Sequence, residues 1–472
     1  MSHNNYISPI SDSALQILCE QLGNKNKIEL LDYWKYGVKR GLRNADGTGV
    51  MAGLTKICSV EGYYIDDGEK VPKDGVLKYR GYNVNKFIEA CDKEDRFGYE
   101  EIAWLLLFGS LPTEKQLKNF KEILAECREL PTDFVDDMIM KNPSKDIMNK
   151  LSRSVLALYS LDENPDDLSI ENVLKQSIHL IAQLPMIMCY AYQIKRRIFY
   201  GKSMFLHPLN PEYGTAETIL NAIRNDRYFT HEEARLLDTC LMVHAEHGGG
   251  NNSTFTARVL TSTGTDTYSA IAGAIGSLKG PRHGGANMKV CQMMNFLEND
   301  VKDITDEGQV ADFLTKIIRK EAGDKSGLIY GMGHAVYTKS DPRAVILKQR
   351  AKAYAEKTGY SDQFKAIELV ETLTPEVFRK EKGESKRVCA NVDLYSGLIY
   401  KMLNIPEDLF TPLFATARIA GWSAHRIEEL MTSSRIIRPA YKSVALPRDY
   451  MDIYDRVEDT EEELYIPSEE RY

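Results

Sequence analysis

Apolar residues recur at three- and four-residue spacing along most of the chain, the period of one helical face. In residues 12–45, "ALQILCEQL" and "KIELLDYWKYGVKRGL" carry it, and helix is expected there. Between Gly53 and Val84 the pattern becomes "GLTKICSVEGYYIDDGEKVPKDGVLKYRGYNV". There β-formers alternate, broken by Asp-Asp-Gly and Lys-Asp-Gly, which predicts a few short strands joined by turns. Beyond residue 85 the helical period returns in "NKFIEA", "YEEIAWLLLFGSLP", "TEKQLKNFKEILAEC" and "SRSVLALYSL", with Gly, Pro or Asn-Pro breaks between them. Residues 196–215, "RRIFYGKSMFLHPLNPEYGT", read as a connector, and a further helical series is predicted over 231–430. The acidic end "EDTEEELYIPSEERY" suits a solvated arm. No fixed-period repeat is visible, so the expected fold class is mainly α with a few short N-terminal strands.

Composition narrows this picture. A chain of 472 residues exceeds a single compact core, which predicts two or more domains. The 68 acidic and 60 basic residues leave a net charge of −8, so broad attraction to nucleic acid or anionic membrane is not expected. An anionic substrate would have to be captured by local arginines. Eight dispersed cysteines without a Cys-x-x-Cys pair suit free thiols and a cytoplasmic location. The first residues lack a basic segment followed by an apolar run, and no stretch approaches eighteen uncharged apolar residues, so neither a leader nor a membrane span is expected.

Candidate chemistry concentrates in a few stretches. Four of the nine histidines lie between 244 and 334, and three of these abut glycine, which lets a ligand or another backbone come close. In "VHAEHGGGNN", Leu237, Cys240, Leu241 and His244 share a helical face, so His244 reads as a core residue. His247 falls at the helix end, where the dipole favours a cationic ring and an anionic contact; a capping histidine is the plainer alternative. In "GSLKGPRHGGANMKV", His283 precedes a helix N-terminus, which disfavours imidazolium. It is either a neutral donor to a carbonyl oxygen or a turn histidine without function.

"GLIYGMGHAVYTKSDPRAVIL" sets His334 after Gly331 and Gly333, and Asp341-Pro342 starts a helix with Arg343 in its first turn. A cation is mildly unfavourable there; a substrate carboxylate or a local pair with Asp341 would offset it. Asp393 is the lone acid in the apolar run of "KRVCANVDLYSG". It suits a base of raised pKa, or the N-cap of a helix starting at Leu394. Arg418 in "PLFATARIAGW" is a charge that needs a partner, and Arg438 in "RIIRPAYK" precedes proline and belongs to extended chain.

Two simple readings of the histidines fail. An esterase needs Gly-x-Ser-x-Gly after a strand, whereas Gly421-Trp422-Ser423-Ala424-His425 lacks the last glycine and lies within a helix. A metal pair of His244 and His247 lacks a third ligand at the usual spacing. Instead "HGGGNNSTF", "GPRHGGAN", "GMGHAVYTKSDPRA", "NVDLYSG" and "RIIRP", in this order, resemble the citrate synthase family. "GLTKICSVEGYYID", "LKYRGYNV" and "EEIAWLLLFGSLPT" fit it too, and the likeness spans residues 30–442.

That resemblance implies a two-domain helical fold, with residues 1–285 and 396–472 forming a large domain and 286–395 a small one inserted into it. It implies a homodimer condensing acetyl-CoA with oxaloacetate at entry to the tricarboxylic acid cycle, with no metal or redox cofactor. Residue by residue it makes His247, His334, Arg343 and Arg418 the oxaloacetate clamp, with Arg438 entering from the partner subunit. His283 and Asp393 would act on acetyl-CoA, with His334 as the third catalytic residue. Leu328, Ile329, Tyr330, Gly331 and Gly333 would meet CoA, and Lys339 a phosphate. The chain departs from the family at Thr338, where an arginine is often found near Lys339, and at "KNPSKDIMNKL", which stands in place of a His-Pro-Met segment. Segment 196–215 is longer than the family's usual one. The same residues would serve 2-methylcitrate synthesis from propionyl-CoA, and a catalytically silent helical binding protein is the alternative of another class.

Overall fold

The computed structural model describes residues 12–22, 27–44, 46–67, 69–383, 388–432 and 435–456. They fall into two compact units, Met1–Val50 with Arg438–Tyr472, and Met51–Ile437. In the first, the expected helix over 12–45 is broken into Asp12–Leu22, Leu30–Lys35 and the 3-10 turn Arg40–Leu42. Gly37 and Gly41 take φ values of 63° and 61°, left-handed conformations that a continuing right-handed helix cannot hold. Lys442 returns to place its ammonium 5.1 Å over the Tyr36 ring. The acidic end beyond residue 456 lies outside the described residues.

The second unit opens with a three-stranded antiparallel sheet, Cys58–Asp66, Glu69–Tyr79 and Tyr82–Asn83, in sequence order. Pairing runs from Cys58–Tyr79 to Asp66–Glu69, with a bulge between Glu61 and Tyr63. The first expected turn, at Asp66-Asp67, is the hairpin. The second, Lys73-Asp74-Gly75, is not a turn: it lies inside the middle strand. Its composition answers to a tertiary contact instead. The Gly75 amide donates to Ser340 Oγ at 3.1 Å, and the Asp74 carboxylate accepts from Lys339 Nζ at 2.7 Å and Ser340 Oγ at 3.0 Å. The sheet thereby cradles the loop that carries His334.

Helices make up most of the rest. Among them Phe410–Thr432 is buried along nearly its whole length and packs against Ile170–Tyr200, Asn252–Thr261, Thr267–Lys279, Tyr99–Phe108 and His231–His244. Its small residues, Ala415, Ala417, Ala420, Gly421 and Ala424, let neighbours approach on every side, while Leu413, Phe414 and Trp422 fill the gaps. Thr230 caps one of the neighbours by accepting from the Glu233 amide, and the Glu233 carboxylate accepts from the Thr230 amide in return. The predicted connector 196–215 is shorter than expected, because the helix Ile170–Tyr200 runs through its first five residues. Among the described residues no helix is long and apolar enough to cross a membrane.

Gly75 is required by close approach. A Cβ there would lie 2.2 Å from the Ser340 carbonyl oxygen and 2.8 Å from the Pro342 ring. Gly75→Ala should therefore lower the unfolding free energy by about 1–3 kcal/mol in urea titrations. Gly53→Ala, which meets nothing within 4 Å, should shift it by no more than about 0.5 kcal/mol.

Candidate active site

The site is built around the chain leaving the helix His231–His244. Tyr79, at the end of the middle strand, places its hydroxyl 3.1 Å from the Met242 carbonyl oxygen and 3.0 Å from that of Glu246, which ties this exit to the sheet. The helix stops at His244, so His247 stands three residues beyond it and not in its last turn. The cationic ring expected from the dipole is corrected by burial. Desolvation, reinforced by Arg343 and His334, drives the His247 pKa well below its ordinary value and leaves the ring neutral. His244 is buried, as its helical face predicted, with its ring 4.3 Å from Phe414.

Arg418 lies in the middle of the buried helix and is itself fully buried. Its Nε donates to the His244 carbonyl at 2.6 Å, and its guanidinium stacks 4.6 Å over the Phe414 ring. Both terminal nitrogens, Nη1 and Nη2, are buried without a hydrogen-bond partner, as is Nε2 of His247. A buried polar group left without its bond costs about 1–3 kcal/mol, and more when it is charged. Desolvation also lowers the Arg418 pKa, opposed chiefly by the Glu246 carboxylate. A ligand carboxylate would satisfy both donors.

His334 is held in one tautomer. Its Nδ1 accepts from the backbone amides of Val336 and Tyr337, each at 3.0 Å, so the proton resides on Nε2. The ring lies 5.0 Å from His247, perpendicular to it, and stacks 4.6 Å from Tyr337. Asp341 caps the following helix, Pro342–Thr358, by accepting from the Arg343 amide at 3.0 Å. The local pair is also formed: Asp341 takes Arg343 Nε at 3.1 Å and Nη2 at 2.7 Å, both residues buried. The bidentate geometry fixes where the guanidinium sits.

Asp393 is not the N-cap that the sequence suggested. Asn391 holds that place, accepting from the Asp393 amide at 3.0 Å, and the helix runs Val392–Met402. The Asp393 carboxyl is thereby released from capping. Burial raises its pKa to about 6, against the opposing pull of Arg343. The segment expected to meet CoA is stitched to this helix start: Gly331 accepts from the Asn391 amide at 2.9 Å, and the Gly333 amide donates to Cys389 at 2.7 Å. Within it Ile329 is buried and Leu328 exposed, and the Tyr330 hydroxyl bonds Asp324 at 2.7 Å. Lys339 is paired with Asp74 at the surface.

His283 occupies the turn before the helix Ala286–Asp300, with Nε2 3.0 Å from Asn251 Oδ1 and 3.2 Å from Ser253 Oγ. Its pKa falls to about 4. The ring is neutral, as the sequence predicted, but desolvation and then Arg418 account for it, not the helix dipole. The fold thus gathers His247, His283, His334, Arg343, Asp393 and Arg418, and the Arg418 charge bears on His247, His283 and Asp393 alike. Arg438 belongs to the other unit, where it is exposed on non-helical chain. Tyr337, which stacks on His334, carries no sequence signal of its own. Asn251 and Ser253 were legible only as polar residues following the triple glycine.

Comparison with known proteins shows the family. The citrate synthase family pattern, described as its C-terminal domain, matches residues 44–440, and the chain belongs to that family. It is 32% identical to 2-methylcitrate synthase 1 of Corynebacterium glutamicum over 89% of this chain and 98% of that one. It is 33% identical to the citrate synthase of Synechocystis sp. over 83% and 88%. Among solved structures, the citrate synthase of Thermotoga maritima superposes with a TM-score of 0.68 at 30% identity, covering 87% of this chain and 98% of that one. The Thermoplasma acidophilum enzyme, solved as a ternary complex with carboxymethyl coenzyme A and oxaloacetate, gives 0.70 at 27% identity over 88% and 99%.

The raised pKa of Asp393 has a stability consequence. Its ordinary value is 3.8, so the folded chain binds this proton more readily than the unfolded one. The ionised group therefore costs stability above about pH 6, and the cost fades as pH falls toward 4. Asp393→Asn should stabilise the fold by up to about 3 kcal/mol near pH 8, with the gain shrinking as pH drops through about 6. Urea midpoints of both proteins across that range read the effect.

Proposed function

We propose that this chain condenses acetyl-CoA with oxaloacetate and hydrolyses the resulting citryl-CoA to citrate and CoA, the entry step of the tricarboxylic acid cycle. The observation that carries the reading is the buried Arg418 guanidinium with two donors unmet, set among Arg343, His247 and His334. A dicarboxylate is the ligand such a pocket fits. Arg343, Arg418 and His247 hold the oxaloacetate carboxylates, and Nε2–H of His334 polarises its ketone. Asp393 takes a methyl proton from the thioester. Neutral His283 hydrogen-bonds the developing enolate oxygen. The enolate carbon attacks the ketone carbon, and water then cleaves the thioester.

The fixed geometry of the two reactants supplies much of the rate, and loss of the His283 donor should cost about 3 kcal/mol of barrier. The segment 328–333 takes CoA, with Lys339 released from Asp74 to meet a phosphate. In the same reading residues 286–395 move as a small domain against 1–285 and 396–472, so that oxaloacetate binds first and completes the CoA site. The active form is a cytoplasmic homodimer in which Arg438 serves the partner's site, and no metal or redox cofactor takes part. Relatives named 2-methylcitrate synthase support a second reading, the same chemistry with propionyl-CoA.

Thiol release from acetyl-CoA and from propionyl-CoA, each with oxaloacetate, separates the two; no thiol from either overturns both. Asp393→Asn should lower kcat by about 10²- to 10⁴-fold while oxaloacetate binding persists. Oxaloacetate binding by a wild-type chain that releases no thiol would favour the silent binding protein.

A further inference from the structure

Glu246, His425 and Arg258 form a chain of polar groups beside the turn that carries His247. Glu246 and His425 are both fully buried, and His425 Nε2 lies 3.1 Å from Glu246 Oε1. On the other side of the ring, Arg258 Nη1 lies 2.8 Å from His425 Nδ1. A guanidinium has only donors, so Nδ1 must accept, and the histidine proton is placed on Nε2, directed at Glu246. Arg258 is anchored in turn by Glu428 at 2.8 Å and Glu429 at 3.0 Å, and Glu428 accepts from the Lys56 amide at 2.7 Å.

Glu246 spends this support on the turn that carries His247. Its Oε1 also accepts from the Gly248 amide at 2.6 Å, bridging across His247, and Gly248 adopts φ 87°. Gly249 rests on the His425 ring, 3.4 Å from Cε1 at the position a Cβ would take. Burial alone would raise the Glu246 pKa, yet His425 and Arg418 outweigh it and hold the carboxyl below its ordinary value. The ionised group is the chief opposing charge for Arg418. Its second oxygen, Oε2, enters the space left by Gly421, where a Cβ would lie 2.1 Å away. The Gly421–His425 stretch that mimics an esterase elbow is thus a seat for this carboxylate.

We infer that Arg258, His425 and Glu246 are positioning residues for oxaloacetate: they fix the His247–Gly248 turn and the countercharge of Arg418 without touching the substrate. The inference rests on the reading of His247 and Arg418 as oxaloacetate contacts. A glutamine at 425 can accept from Arg258 and donate to Glu246; an asparagine, one methylene shorter, cannot span both. In the full chain, His425→Asn should raise KM for oxaloacetate by about tenfold or more. KM for acetyl-CoA at saturating oxaloacetate should change little by comparison. His425→Gln should restore KM for oxaloacetate to within about threefold of the wild type. Equal behaviour of the Asn and Gln variants, or a parallel rise of both KM values with a fall in the thermal midpoint, overturns the positioning role. A wild-type chain that releases no thiol overturns the underlying reading itself.

Discussion

The constraint on which the rest of the structure depends is a positive charge in the middle of a buried helix. Arg418 has one hydrogen bond, to the carbonyl that ends a neighbouring helix, and a phenylalanine face beneath it. Nothing else among the described residues takes its remaining donors. Such a group is tolerated only where the surrounding packing is rigid enough to hold it and where a bound anion can complete it. The nearby histidines respond by staying neutral: desolvation and this charge lower the pKa of both His247 and His283. The same desolvation pushes Asp393 upward, so the acid and the two rings are moved in opposite directions by one environment.

Two devices keep this arrangement in register. The small sheet supports the histidine loops from one side, through Tyr79 under the 242–246 exit and through Asp74 and Gly75 against Lys339 and Ser340. The 331–333 segment is bonded to residues 389–391, which cap the helix of Asp393. A displacement of the presumed CoA loop would therefore carry the proposed base with it. Coupling of that kind suits a reaction whose second substrate must arrive in line with the proton it loses.

Much of this was legible residue by residue. The turn of His283 before a helix and the Asp341-Pro342 helix start each predicted a local conformation that the fold contains, and the lone acid in an apolar run predicted the raised pKa of Asp393. Errors came where a residue answers to distant chain. Lys-Asp-Gly looked like a turn and is a strand docking against a loop 265 residues away. His247 looked cationic because its helix is local, whereas the groups that keep it neutral come from three other elements. Asp393 looked like a cap because its neighbour Asn391 serves that role equally well in the abstract.

By itself, then, the sequence determined the helical class, the strands, the helix starts and the ordered set of motifs that mark the family, because these depend on short-range periodicity, capping and backbone freedom. Only the tertiary structure decided protonation states, the tautomer of His334, the unmet donors of Arg418 and the Arg258–His425–Glu246 chain. Those properties arise from desolvation and from contacts between distant residues, His425 and Glu246 standing 179 positions apart, and no local pattern encodes them.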